Sequence, residues 1–325
     1  MSELSWVKLR REWVVTATHR MDRTFLPPRD YCPLCPTVPG GFETEIERAE
    51  FEIAVFENRF PSFHSNPPEP AIKGSPLFPV SEAAGVCEVV VYTPQHNGCL
   101  ADLSTAQMRL LVRVWRDRYN ELSARPEIQY VYIFENRGSE VGVTLHHPHG
   151  QIYAFTYLPP VLARELLSAE AYRQENIEGC LFCAVVDGEK QDERRVVLRN
   201  DSFLAFVPFA ARYPYEMHLY SLEHRPSLAD LNEREMDDLA AILQRLVRCY
   251  DSLFGKPFPY IMAVHQEPSK ERKGLGHLHF EFYPPLRDSA KLKYLAGCEQ
   301  GAGTFINDSL PEEKAAELRK AAKVV

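Results

Sequence analysis

The spacing of apolar positions changes along the chain. Met236, Leu239, Ile242, Leu243, Leu246, Val247 and Tyr250 recur every three or four residues, which predicts a helix with one apolar face. Asn232 with Glu235 forms a capping box at its start, and Ser104 with Gln107 marks a helix start in the first half. Other apolar runs are short and lack that period. "EVVVYT", "EMHLYS", "YVYIFEN" and "FPYIMAVH" read as strands, and "HPHGQIYAF" and "GHLHFEFY" supply two more. Strands, helix and strands in each half predict an α+β fold, a mainly antiparallel sheet flanked by helices. The proline-rich stretch 60–79 predicts an irregular excursion, "DGEKQDER" at 187–194 an exposed hairpin tip, and "YLPPVLARELLSAEAYR" a connecting helix.

The same signals occur twice in the same order. The first half runs from "YCPLCP" through His96 and "LADL" to "HHPHGQ"; the second runs from "GCLFCA" through His224 and "LADL" to "GHLHFEFY". His96 lies 51 positions before His147 and His224 lies 53 before His277, so one unit is about half the chain. The expected division is 1–165 and 166–325.

Composition narrows the function. A net charge of -8 disfavours nucleic acid and anionic membrane as constitutive partners, leaving a small ligand in a local pocket. No apolar run reaches the roughly 18 residues of a membrane span, and "MSELSWVKLRREW" lacks a signal peptide's apolar core, so a cytoplasmic protein is expected. There the eight cysteines read as thiols or metal ligands, not disulfides.

Each half offers a CxxC pair and two histidines, the donor types that tetrahedral zinc prefers. Two closed, structural zinc sites are expected: Cys32, Cys35, His96 and His147, and Cys180, Cys183, His224 and His277. In an extended chain, side chains two apart share a face, so a metal on His147 would hold His149 and Gln151 toward one region. Pro148 stiffens the link. A metal-free imidazole held beside an amide suits nucleophilic attack on phosphorus, with Gln151 able to donate to a phosphoryl oxygen. His19, His64, His146 and His218 read as surface or core histidines.

"HPHGQ", "CPLC", "FENRFPSF", "HRMDR" and "FYPPLRDSAKLKYLAG" resemble galactose-1-phosphate uridylyltransferases, the nucleotidyltransferase branch of the histidine-triad superfamily, from about Trp13 to Asn307. The resemblance implies duplicated histidine-triad-like units whose strands form one continuous or half-barrel-like sheet, and a homodimer. It also implies that His149 takes UMP from UDP-glucose as a phosphoramidate and passes it to galactose 1-phosphate, with Gln151 replacing the further histidine of triad hydrolases. Arg20 and Arg23 match phosphate-handling arginines, and Asn58 and Asn136 match nucleotide- and phosphate-contacting asparagines. Gly142 and Thr144 match the loop lining the phosphates, Thr144 in place of serine; Lys293 and Glu299 match hexose-binding positions.

Several positions depart from the family pattern. Arg59, at a nucleotide-binding position, replaces an aspartate common against the ribose, and Cys298 stands where tyrosine is frequent. Glu281 replaces a histidine that some members use, with a glutamate and further histidines, for another metal; Glu165 and His265 remain available to it, but the second CxxC favours the duplicated zinc arrangement. That CxxC resembles the branch containing plant ADP-glucose phosphorylase, which makes an ADP-sugar phosphorylase the alternative. A non-catalytic zinc-stabilised interaction module is a further one. Because His279 and Glu281 stand in the places of His149 and Gln151, and a carboxylate repels phosphate, one catalytic centre per chain is expected.

Overall fold

The computed structural model describes residues 2–23, 31–176 and 179–324, with 22 and 23 as backbone only. Strands β1 (Ser2–Val7), β2 (Glu12–Ala17) and β4 (Val80–Glu82) form a small sheet in the order β2-β1-β4. The large sheet holds β3 (Ala54–Glu57), β5 (Gly85–Val91), β6 (Tyr130–Arg137), β7 (His149–Phe155), β8 (Val196–Arg199), β9 (Phe203–Phe206), β10 (Met217–Ser221), β11 (Tyr260–His265) and β12 (His279–Tyr283). Its nine strands run β3-β5-β7-β6-β11-β12-β10-β9-β8, each antiparallel to its neighbours.

The duplication is visible in that order. β5-β7-β6 on one side answers β10-β12-β11 on the other, and the halves meet where β6 pairs with β11, Ile133 facing Val264. The sheet is continuous and open, not a closed barrel.

Helices α1 (Thr105–Ala124) and α4 (Glu233–Phe254) cover one face. Ile133, Ile152, Ala154, Val264, Phe280 and Phe282 bury there with Trp115, Leu239, Leu243 and Leu246 in one core. Each large apolar side chain so buried contributes roughly 1.5–3 kcal/mol before entropy is charged. The predicted caps hold: Asn232 Oδ1 accepts from Glu235 N at 2.9 Å while Glu235 Oε2 accepts from Asn232 N at 2.8 Å, and Ser104 Oγ accepts from Gln107 N. Alternation then leaves His149, Gln151 and Tyr153 of β7, and His279, Glu281 and Tyr283 of β12, on the opposite face.

The connecting helix is present as α2 (Pro160–Glu175), and 60–79 carries no helix or strand. Residues 187–194 correct the expected hairpin tip. They belong mostly to α3 (Leu181–Asp192), because Phe182 and Val186 bury one turn apart and Glu189 bonds buried Arg195 at 3.0–3.1 Å. The polar composition is that of the helix's outer face. A last helix, α5 (Pro311–Ala321), packs Ala315 and Leu318 into the main core. Among the described residues no helix is long and apolar enough to cross a membrane.

Candidate active site and metal centres

The two CxxC segments and their histidines converge as the duplication requires. In the first cluster Cys35 Sγ lies 3.4 Å from His96 Nδ1 and 3.6 Å from His147 Nδ1, with Cys32 Sγ 3.9 Å from the latter. In the second, Cys183 Sγ is 3.6 Å from His224 Nδ1 and 3.5 Å from His277 Nδ1, and Cys180 Sγ 3.9 Å from His277 Nδ1. Tetrahedral zinc, with bonds near 2.3 Å to sulfur and 2.0 Å to nitrogen, sets such atoms about 3.6 Å apart. His147 donates Nε2–H to Thr93 O at 2.7 Å, and His277 Nε2 contacts Ser221 O at 3.0 Å, so Nδ1 of each faces the sulfurs. Burial and the neighbouring cysteine raise the Cys35 and Cys183 thiols, the state a bound cation would reverse.

His149 begins β7, directly beyond this cluster. Its Nδ1–H donates to His147 O at 2.7 Å, leaving Nε2 as the unprotonated nitrogen. Burial holds the imidazole below its ordinary range, opposed by that bond. A neutral, oriented ring with its free lone pair at Nε2 has the chemistry a nucleophile needs. The strand passes close over its support: a Cβ on Gly150 would lie 2.2 Å from Tyr92 Oη. Tyr92 also donates its backbone N–H to Pro148 O at 3.0 Å, and its hydroxyl to Glu135 Oε2 at 3.0 Å. Nothing in the local sequence signalled this buried support.

A cavity of about 480 Å³ opens at His149, a volume suited to a small ligand. It brings together seven residues proposed from sequence, Asn58, Arg59, Asn136, Gly142, Thr144, His149 and Gln151. Tyr31, Phe56 and Phe60 add aromatic walls that sequence reasoning missed, being spread over separate segments. Gly142 has φ 82°, a left-handed turn that favours glycine, at the entry to the 142–145 wall. Arg59 pairs with Glu45 at 3.0 Å. Gln151 Oε1 faces Asn58 Nδ2 at 3.3 Å and Tyr153 Oη at 3.4 Å.

The second half has the same frame with a different filling. Val91 lies opposite His149, whereas Tyr220 lies opposite His279. Sequence alignment pairs Tyr220 with Tyr92, each four positions before its metal-cluster histidine, but the pairing of the second half is offset by one residue. One residue turns a side chain to the other face. Tyr220 therefore stacks on His279 at 4.5 Å between ring centres, and Phe182 lies 5.3 Å away. Aromatic rings cover the imidazole where the first half is open.

His279 instead joins Glu165, His265 and Glu281, whose ligand atoms lie within 4.8 Å of one another. His265 Nδ1 bonds Glu165 Oε2 at 3.0 Å, while His279 Nε2 is buried without a hydrogen-bond partner, 3.8 Å from Glu281 and 4.0 Å from Glu165. Burial pushes the His279 imidazole down to about 4, and the Glu281 carboxyl, which burial alone would raise, is held low by His218, His265 and His279. The orphaned nitrogen between two carboxylates fits a cation. The expectation that the second CxxC would replace this group is corrected: both assemblies exist, fed by neighbouring histidines of one segment. Three clusters among the described residues could hold a metal ion.

Comparison with known proteins decides the family. The model for the galactose-1-phosphate uridyl transferase N-terminal domain matches residues 2–159, and that for the C-terminal domain matches 165–324. The chain belongs to the galactose-1-phosphate uridylyltransferase family. It is similar to the galactose-1-phosphate uridylyltransferases of Thermotoga maritima, 40% identical over 98% of each chain, and of Streptomyces lividans, 38% identical over 93% of this chain and 82% of that one. Among solved structures, a uridylyltransferase superposes with a TM-score of 0.89 at 34% identity, covering 99% of both chains. An ADP-glucose phosphorylase from Arabidopsis thaliana superposes at 0.72 with 22% identity and 98% coverage of both, which shows a shared fold.

Three of the proposed substrate contacts, Arg20, Lys293 and Glu299, lie outside the cavity wall. Arg20, in the turn Thr18–Arg23, bonds Ser62 and lies 3.5 Å from Tyr153 Oη. The side chain of Arg23 falls outside the described residues. Lys293 is buried and bonds Glu299 Oε1 at 3.5 Å and the carbonyl of Ile306, so this pair holds the C-terminal segment together. Neither lines the cavity of its own chain.

Proposed function

We propose that the protein is a hexose-1-phosphate uridylyltransferase, moving UMP from UDP-glucose to galactose 1-phosphate by double displacement. The observation that carries this reading is the His149 ring, fixed by its Nδ1–H bond to His147 O with Nε2 directed to chemistry beside Gln151. Nε2 attacks the α-phosphorus: a P–N bond forms, the P–O bond to glucose 1-phosphate breaks, and the leaving oxygen keeps the electron pair. A phosphate oxygen of galactose 1-phosphate then forms a new P–O bond, and the P–N bond returns its pair to Nε2. Gln151 Nε2–H donates to phosphoryl oxygen in both steps.

Zinc is the metal that suits both CxxC clusters, and when bound it supplies rigidity, not chemistry, because four protein ligands close the site. Cys32, Cys35, His96 and His147 would hold one ion, and Cys180, Cys183, His224 and His277 the other. Anchoring His147 fixes the carbonyl that orients His149. The third cluster would take a further divalent cation away from the His149 cavity.

Small sugar phosphates and nucleotide sugars are the substrates in a cytoplasmic homodimer. Since Lys293 and Glu299 do not line the cavity of their own chain, a second chain would supply the hexose contacts. The assay is isotope exchange: the protein should move label from glucose 1-phosphate into UDP-glucose without galactose 1-phosphate, as a covalent intermediate requires. Exchange into ADP-glucose in place of UDP-glucose would move the donor assignment to the phosphorylase branch.

A further inference from the structure

Gln151 can help a phosphoryl group only if its amide presents nitrogen, not oxygen, to the substrate. The amide's two ends are nearly isosteric, so surrounding hydrogen bonds decide which way it points. Here Oε1 receives two donors, Asn58 Nδ2 at 3.3 Å and Tyr153 Oη at 3.4 Å. Asn58 is itself fixed, its Oδ1 accepting from Phe60 N at 2.9 Å. Among the described residues no acceptor holds Gln151 Nε2, which leaves both amide hydrogens for the cavity.

We propose that Tyr153 is a positioning residue for uridylyl transfer, its hydroxyl holding the Gln151 amide with Nε2 toward the phosphoryl group. The inference rests on the function proposed above. Tyr153 sits two residues beyond Gln151 on β7, hence on the same face. Its ring is wedged edge-on against Phe134 at 5.1 Å and Phe63 at 6.1 Å, so the hydroxyl has little freedom. On its far side Arg20 Nη1 approaches to 3.5 Å while also bonding Ser62. Arg20 points the phenol's lone pair to itself and its hydrogen to Gln151. Burial raises the phenol above its ordinary range, which keeps that hydrogen at neutral pH. Arg20 thus acts through Tyr153 and Gln151 in this chain, a role distinct from the phosphate contact that the resemblance implies. Without the hydroxyl, one donor fewer opposes amide reversal, and a reversed amide sets oxygen against phosphoryl oxygen.

The test compares wild type, Tyr153→Phe, Gln151→Ala and the double variant, each mixed with UDP-glucose and quenched at intervals to measure UMP adduct by intact mass. Tyr153→Phe should slow adduct formation about tenfold, less than the roughly hundredfold loss expected from removing an oxyanion donor itself. The UDP-glucose concentration for half-maximal rate should stay within about twofold, because ground-state binding is untouched. In the Gln151→Ala background the same change should have no further effect. Equal rates for wild type and Tyr153→Phe, or equal slowing in both backgrounds, would overturn the inference while the proposed function stood. No adduct on the wild type would overturn both.

Discussion

Tyr92 and Gly150 touch so closely that the hydroxyl of one occupies the space a side chain on the other would need, 2.2 Å from an ideal Cβ. Tyr92 grips the same segment by its backbone N–H to Pro148. His149, the proposed nucleophile between Pro148 and Gly150, is therefore braced from below by the helix-side core and at its start by the cluster of Cys32, Cys35, His96 and His147.

Gly150→Ala should shift the strand and His149 with it. Overpacking a buried site costs about 1–3 kcal/mol, and misplacing the nucleophile by about 1 Å costs on the order of hundredfold in rate. Denaturant midpoints and initial rates read the two effects. The stability loss should be smaller when Gly150→Ala is made in a Tyr92→Phe background, which removes the nearest atom.

Burial lowers the His149 imidazole from 6.5. The sign follows: the unfolded chain takes up this proton at higher pH than the folded one, so the ring stays neutral as pH falls through 6.5. Adduct formation should hold constant from pH 8 to 6.5 and decline only below, and this group should weaken the fold in the same acidic range. An acid limb at or above 6.5 in single-turnover rates would contradict the assignment.

Buried Glu135 accepts from both Tyr92 and Tyr260, at 3.0 and 2.9 Å. Burial raises its carboxyl from 4.5 to about 7, with the two phenols and Arg137 opposing. A raised folded value means stability present below pH 4.5 and lost as pH rises to 7, about 3 kcal/mol at roughly 1.4 kcal/mol per unit. The difference in unfolding free energy between wild type and Glu135→Gln, measured across that window, should change in this direction; a flat difference would show that the carboxyl is ionised throughout.

Metal removal should separate the two halves. Cys35→Ser should lose one equivalent of bound metal and slow adduct formation, since His147 then no longer fixes the carbonyl behind His149. Cys183→Ser should also lose one equivalent and some thermal stability, with adduct formation largely retained. Elemental analysis of the purified proteins, beside their melting curves and rates, checks both.

The alternation and helix periods predicted most strands, both long helices and the joining helix, because each element's burial is written in its own residues. Repetition made the metal groups legible: Cys32, Cys35, His96 and His147 lie far apart in sequence but recur as a set, and the structure brings each set together. Three features were not legible. Helix α3 hides under a polar run because only Phe182, Val186 and Glu189 face inward. The outward turn of Tyr220 depends on a one-residue offset that sequence similarity passes over. The bonds from Asn58 and Tyr153 that orient Gln151 need a tertiary neighbour and a side-chain direction, neither set by local pattern.

The central claim is that His149 Nε2 carries the nucleotide. Intact mass spectrometry of the protein mixed with UDP-glucose, without acceptor and at neutral to alkaline pH, tests it most directly. A UMP adduct on the wild type that is absent from His149→Ala and discharged by galactose 1-phosphate is the predicted result. An adduct that persists in His149→Ala, or none on an active wild type, would contradict it.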